Sequence, residues 1–285
     1  MEWINKQNVL IVGLGLMGGS YARALNRIGY HIHAIDANPE SIEFGLSKGI
    51  ISKGAAFDDP ELIGAADCII MALYPTKVTK WIEDNQKHFK SGVMITDVTG
   101  VKSPVVYDIQ KILRPDAEFI AAHPMAGREV YGVKNSDDKI FRDANFIVVP
   151  TEANSGEAIR WCENLGGLLG FNRISVLSPE EHDSMIAYVS QLTHCIAVAL
   201  MTCDDDENLV NYTGDSFRDL TRIANINENM WSELFFLNKE ALLKRMNDFM
   251  DEMGELKRMI EEEDEAGIKE KMRLSTKRRA RFNKE

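Results

Sequence analysis

The front half of the chain alternates short apolar runs with segments rich in glycine, proline and aspartate. Helix-like stretches, Gly18–Ile28 and Pro39–Lys48, separate the first of these runs, and a helix at Ser155–Leu165 precedes a strand at Arg173–Leu177. Strands and helices in this order predict crossover units and a doubly wound parallel sheet, an α/β fold. The other predicted strands are Asn8–Val12, His31–Ile35, Cys68–Leu73, Val93–Thr96, Phe119–Ala122 and Phe146–Val149.

The back half has a different pattern, because no proline follows Pro179 and glycine is scarce. Both residues disfavour helix interiors, so their scarcity permits long helices. Apolar residues recur there at alternating steps of four and three, which predicts an apolar seam along one long helix. This seam either packs inside its own domain or pairs with a second chain, and both interpretations stay open. We predict an α/β domain over residues 1–178 and an all-α domain over residues 179–285. The seam consists of Leu242, Met246, Phe249, Met253, Leu256 and Ile260.

Composition and charge narrow the class of protein. Hydrophobic residues make up 45% of the chain and the net charge is −11, which argues against a nucleic-acid partner. No apolar run approaches the ~18 residues of a membrane span, and the N-terminus lacks the order of a secretion signal. The four cysteines are scattered without a CxxC pair, so neither a disulfide framework nor a metal site is predicted. We expect a cytoplasmic protein without a membrane partner.

A dinucleotide-binding fingerprint follows the first strand. Gly13, Gly15 and Gly18 form a GxGxxG motif with Leu16 and Met17 between the last two glycines. A helix begins there, and its free N–H groups suit a pyrophosphate. Asp36 closes the second strand 18 residues after Gly18, where its carboxylate would bind ribose hydroxyls and repel a 2′-phosphate. We therefore predict NAD rather than NADP, the alternative being a glycine-rich turn without a ligand.

Three further positions are expected near the nicotinamide. Tyr74 and Pro75 follow the Cys68–Leu73 run, and Asp97 follows the next strand, so all three lie near the switch point of the sheet. His123 directly follows the next predicted strand, Phe119–Ala122, and is held by Pro124. A histidine at this place is suited to proton transfer at neutral pH.

Four blocks of sequence together resemble the prephenate dehydrogenase family. They are the fingerprint, Thr96-Asp97…Val101-Lys102, His123-Pro124-Met125-Ala126-Gly127…Glu129, and a helical block that contains His182–His194 and Phe217–Ala224. The resemblance implies a Rossmann domain, an all-helical dimerisation domain and an active site in the cleft between them. It also implies a homodimer that converts prephenate to 4-hydroxyphenylpyruvate and CO2 with NAD(P)+, in tyrosine biosynthesis.

The resemblance assigns the proton-accepting role to His123. Relatives often carry a serine that assists this histidine, but Gly100 stands at that position here, and Thr99 is the candidate replacement. His182 and Asp183 are expected to orient backbone or helix ends near the domain junction.

The same resemblance implies the substrate contacts. Arg222 would bind a substrate carboxylate with its planar guanidinium, and Arg218, four residues earlier, would support it. The alternative is that these arginines pair with neighbouring acids such as Asp215. His194 is the candidate contact to the substrate side chain, and Glu129 is a candidate gate at the mouth of the cleft.

Three other functions remain open. Arogenate dehydrogenase uses the same ring chemistry on a substrate whose side chain carries an ammonium. A 3-hydroxyacid dehydrogenase typically relies on a lysine in its helical domain, and residues 181–229 contain none. An NAD-sensing regulator without catalysis would leave His123 and Arg222 unexplained.

Overall fold

The first apolar runs of the front half form parallel strands that are buried on both faces. In β1, Val9 and Ile11 face one hydrophobic core, and Leu10 and Val12 face the other. Helices therefore cover both sides of the sheet, as in other parallel sheets. The computed structural model describes Trp3 and residues 7–282. Its strands are β1 Asn8–Val12, β2 His31–Ile35, β3 Lys53–Ala55, β4 Cys68–Met71, β5 Met94–Asp97, β6 Glu118–Phe119, β7 Ala121–Pro124, β8 Asn145–Val149 and β9 Arg173–Val176.

The larger sheet has six parallel strands in the order β3-β2-β1-β4-β5-β6. The predicted bounds of β1 and β2 are confirmed, and those of β4 and β5 differ from the prediction by one or two residues at an end. The strand β3 was not predicted, because three residues around Gly54 are too short to show a period. The sheet order reverses between β1 and β4, which places a crevice at their carboxyl ends.

A separate three-stranded sheet holds β7, β8 and β9, and it corrects the prediction of a single parallel sheet. The predicted strand Phe119–Ala122 divides at Ile120, whose N–H still bonds to β5. The next N–H to face β5, that of Ala122, donates instead to the Asp97 carboxylate at 3.2 Å. The β7 strand leaves the first sheet there and pairs antiparallel with β8.

Helices fill the connections and continue beyond the second sheet. They are α1 Leu16–Arg27, α2 Pro39–Ser47, α3 Pro60–Gly64, α4 Pro75–Asn85, α5 Ser103–Ile112, α6 Gly156–Leu169, α7 Pro179–Ile186, α8 Thr193–Thr202, α9 Asp215–Thr221, α10 Glu228–Leu237, α11 Lys239–Glu261 and α12 Glu265–Arg279. An α/β region followed by helices is the predicted fold class, which the structure confirms.

The helices α7 and α8 join through a π-helical turn, Ala187–Leu192, into one helix of 24 residues. By length and composition this helix is able to cross a bilayer, which the search for apolar runs missed. Core helices of soluble proteins meet the same test of length and composition. Within this helix, His182, Asp183 and Gln191 are buried polar residues with hydrogen-bond partners in the same chain.

The described part of the chain divides into two compact units, Met1–Asn238 and Lys239–Glu285. The second unit is a helical hairpin of α11 and α12, in which Lys271 pairs with Glu252 and Glu255. The predicted apolar seam lies along α11, and its members Met253 and Ile260 are exposed. The domain boundary at residue 178 stays a prediction.

Candidate active site

A cavity of about 580 Å³ lies within the first unit, at the carboxyl ends of β1, β4, β5 and β7. Helical residues between 186 and 234 form its opposite wall. Most of the predicted site residues line this cavity: Gly15, Leu16, Met17, Gly18, Tyr74, Pro75, Thr99, His123, Glu129, His194 and Arg222. The structure therefore brings the fingerprint and the candidate catalytic residues together in one place.

The glycine turn has the geometry that a dinucleotide requires. Gly13 has a φ of +94°, and a Cβ there would lie 2.4 Å from the carbonyl oxygen of Ala72. A Cβ at Gly18 would lie 1.9 Å from the carbonyl oxygen of Gly13, so α1 packs directly on the turn. The space at Gly15 is open, and no side chain caps α1. These N–H groups fit the pyrophosphate of NAD.

Asp36 lies just after β2, where the fingerprint predicts an acid. One carboxylate oxygen accepts a hydrogen bond from the backbone N–H of Leu14 at 2.5 Å, and the other accepts one from Asn38 at 2.8 Å. Asp36 thus fixes the glycine turn to the end of β2. Each oxygen keeps a second lone pair for a ribose hydroxyl.

His123 sits on β7 at the wall of the cavity, and its ring contacts a second histidine. Its Nδ1 lies 2.8 Å from Nε2 of His182, whose own Nδ1 lies 2.8 Å from Oδ1 of Asp183. Burial lowers the pKa of His123 well below its usual value, and the nearby His182 and Lys102 lower that pKa further. His123 is therefore a neutral base at pH 7.

Asp183 has the orienting role that the sequence suggested. Its two oxygens accept hydrogen bonds at 2.8 Å from the backbone N–H groups of Lys102 and Ser103, where α5 begins. Sequence reasoning missed that His182 reaches His123. The available signal was the histidine next to an acid on an apolar helix, but nothing in the sequence pairs residues 59 positions apart.

Two predicted site residues of the loop after β5 make other contacts than those expected. Asp97 is fully buried and does not line the cavity, and its carboxylate pairs with Lys102 Nζ at 2.6 Å. The Thr99 hydroxyl does not replace the missing serine, because it bonds to Asp97 and to the carbonyl of Val101. Lys102 Nζ also donates to the Ala122 carbonyl at 2.6 Å, next to His123. Asp97 and Lys102 therefore support the site from outside the cavity wall, and Thr99, which lines the cavity, is bonded to this pair through its hydroxyl.

Arg218 also lies elsewhere than expected. The helix α9 ends at Thr221 and Arg222 begins a 3₁₀ turn, so the two arginines do not share one helix face. Arg218 pairs with Asp215 at 3.0 Å on the surface, and it is not part of the cavity wall. This pairing is the alternative that the sequence left open.

Arg222 and Glu129 form an ion pair at the cavity wall. The side chain of Arg222 remains 63% exposed, so it is accessible to an incoming carboxylate. His194 lies nearby and stacks on Trp231, with ring centroids 3.6 Å apart. Its Nδ1 donates to the Ser190 carbonyl at 2.9 Å, and burial lowers its pKa. Trp231 was not predicted, since a single aromatic residue on an apolar helix carries no signal.

Comparisons with known proteins decide the family. A model described as prephenate dehydrogenase, nucleotide-binding domain matches residues 21–170, and one described as prephenate dehydrogenase, dimerization domain matches residues 178–274. The chain belongs to the prephenate dehydrogenase family. Family membership accounts for the glycine fingerprint, the histidine-proline block and the helical block in one chain.

Individual relatives agree with this assignment. Prephenate dehydrogenase of Bacillus subtilis is 32% identical over 91% of this chain and 71% of its own length. Cyclohexadienyl dehydrogenase of Zymomonas mobilis is 26% identical over 96% and 95%, respectively. A crystal structure of prephenate dehydrogenase from A. aeolicus, in complex with hydroxyphenyl propionate and NAD+, superposes with a TM-score of 0.90 at 30% identity, covering 99% of this chain and 100% of that one.

Proposed function

We propose that this chain catalyses the NAD-dependent oxidative decarboxylation of prephenate to 4-hydroxyphenylpyruvate, a step of tyrosine biosynthesis. One observation carries the proposal: His123 and the glycine turn line the same cavity, with the exposed guanidinium of Arg222 on its wall. Family membership supports the same reaction.

His123 provides the base. When bound, NAD+ would supply the acceptor for a hydride from ring carbon C4 of prephenate. His123 accepts the hydrogen bond of the C4 hydroxyl and takes its proton as the hydride leaves. The bond between the ring and its carboxylate then breaks and CO2 departs. The electron pair of the broken bond completes the aromatic ring. His123 returns the proton to the phenolate oxygen, so the proton balance closes.

The prephenate dianion needs local positive charge in a chain with a net charge of −11. We propose that a substrate carboxylate displaces Glu129 from Arg222 and forms a two-pronged contact with the guanidinium. His194 lies beside this pair and is held against Trp231, where it would contact the substrate side chain.

Arogenate is the second candidate substrate. The observation in its favour is the position of the ring hydrogen on neutral His194. Because Nδ1 donates to the Ser190 carbonyl, the neutral ring offers Nε2 as an acceptor. The ammonium of arogenate would donate a hydrogen bond there, whereas the ketone of prephenate would not.

Turnover with each substrate tests the function. Purified protein with prephenate and NAD+ should release NADH and CO2 in equal amounts, with a higher kcat/KM than with arogenate. His123→Asn should lower kcat by roughly 10²–10⁴-fold with little change in KM, the usual contribution of general acid–base catalysis. Bound NAD+ without turnover of either substrate would instead identify a non-catalytic sensor.

We also propose that the protein is a cytoplasmic homodimer formed through its helical part. The second family model is a dimerization domain, and several large apolar side chains between residues 188 and 236 are exposed in the single chain. Light scattering of the purified protein would test the dimer. The exposed set includes Tyr188, Val189, Met201, Val210, Tyr212, Leu220 and Phe236.

A further inference from the structure

His182 is a fully buried histidine outside the cavity. It is absent from the cavity wall, and its two ring nitrogens are each 2.8 Å from a partner, His123 on one side and Asp183 on the other. A buried imidazole is costly unless both nitrogens are satisfied. The arrangement therefore links the candidate base to a carboxylate outside the cavity.

Asp183 is the fixed end of this chain of hydrogen bonds. Its carboxylate accepts N–H bonds from Lys102 and Ser103, and its own carbonyl accepts one from Asn238 at 2.9 Å. Burial would raise the pKa of Asp183, but the hydrogen bonds from His182 and Ser103 outweigh burial and lower it. Asp183 is therefore an ionised acceptor with no proton to donate.

The ionised carboxylate of Asp183 determines where each proton lies in this series of hydrogen bonds. Since Asp183 only accepts, His182 carries its hydrogen on Nδ1, and the neutral ring offers a bare Nε2. That Nε2 must accept from His123, so His123 carries its hydrogen on Nδ1 as well. The remaining nitrogen of His123, Nε2, is then unprotonated, which is the form a base needs.

Position 100 is a glycine, so it offers the His123 ring no side chain as an alternative hydrogen-bond partner. A Cβ added to Gly100 would lie 3.3 Å from Leu234, so apolar side-chain atoms border that position. Within residues 7–282, the hydrogen-bond partner found for the His123 ring is His182.

We propose that His182 and Asp183 are positioning residues that hold His123 in the tautomer with Nε2 free and stabilise the proton it takes. The inference rests on the proposed function. When His123 gains the substrate proton on Nε2, its Nδ1 proton shifts toward His182 Nε2. The resulting imidazolium lies next to the Asp183 carboxylate, and the proton returns by the reverse path. The other charged groups near the pair are Lys102 and Asp97, which neutralise each other in the buried ion pair.

Nitrogen NMR of the wild-type protein labelled with ¹⁵N-histidine tests the tautomer without any substrate, and variants serve only to assign the signals. The chain has six histidines, so each ring can be assigned by single substitution, starting with the exposed His31→Gln as a control. At pH 7 His123 should show a protonated Nδ1 and a bare Nε2. A proton on Nε2 of His123 would overturn the proposal even if the enzyme turns over prephenate.

The variant His182→Gln tests the effect on catalysis. We expect kcat to fall about 10²-fold with little change in KM, within the range of general-base effects. The pH dependence of kcat/KM should also change, because the imidazole that accepts the Nδ1 hydrogen of His123 is gone. A purely structural role would lower the thermal midpoint and leave kcat and the pH profile at their wild-type values, as His31→Gln should. That result would overturn the proposal, whereas an inactive wild type would refute the proposed function and leave the NMR test valid.

Discussion

The buried ion pair between Lys102 and Asp97 gives the sharpest prediction about stability. Both side chains are completely buried, and Lys102 Nζ lies 2.6 Å from the Asp97 carboxylate. The substitution Lys102→Met keeps most of the side-chain volume but removes the charge. Asp97 would then be a buried carboxylate without a counter-charge, which costs about 3–5 kcal/mol. That is a large fraction of the ~5–15 kcal/mol that stabilises a typical folded protein.

An exposed pair of the same residue types provides the matched control. On α4, Lys80 Nζ also lies 2.6 Å from an oxygen of Asp84, but the two side chains are 67% and 51% exposed. Lys80→Met should cost less than about 0.5 kcal/mol, because water screens both charges. Equal distances with different burial isolate the effect of desolvation.

Thermal and urea unfolding of the three proteins measure the difference. Lys102→Met should lower the thermal midpoint by roughly 6–20 °C, while Lys80→Met should stay within about 2 °C of wild type. The Lys102→Met variant should also have a lower kcat, because Lys102 holds the Ala122 carbonyl next to His123. If Lys102→Met unfolds within about 1 kcal/mol of wild type, the buried pair does not stabilise the loop as argued.

Two further substitutions test the ligand contacts. Arg222→Ala should chiefly raise KM for prephenate with a smaller effect on kcat, since it removes a carboxylate contact already present in the ground state; steady-state kinetics with an unchanged KM would contradict that role. Asp36→Ala should relax the preference for NAD, because it removes the charge that repels a 2′-phosphate; an unchanged ratio of kcat/KM for NAD and NADP would refute the charge argument.

Local patterns predicted the parts of the molecule whose physics is local. The bounds of β1 and β2 follow from apolar runs, and the turn at Gly13 follows from glycine spacing. His123 was found because the predicted strand Phe119–Ala122 runs directly into it, although His123 lies in β7 of the second sheet. Each of these features depends on neighbours along the chain.

The features that the sequence patterns did not predict depend on contacts between residues that are distant in the chain. The Asp97 side chain takes the N–H of Ala122 and so separates β7 from the first sheet, which no apolar pattern records. The pairing of His182 with His123 arises only when α7 packs beside β7. Arg218 was assigned to the site on helical spacing, but α9 ends before Arg222 and the spacing no longer applies. Side chains that interrupt regular structure thus account for most of the corrections.

The central claim is that His123 and Arg222 hold a ring substrate against NAD in one cavity. A crystal structure of the protein with NAD+ and 4-hydroxyphenylpyruvate tests it most directly. The account predicts the phenol oxygen within hydrogen-bond distance of His123 Nε2 and the side-chain carboxylate on Arg222. A product ring that binds outside this cavity, or with its hydroxyl away from His123, would contradict it.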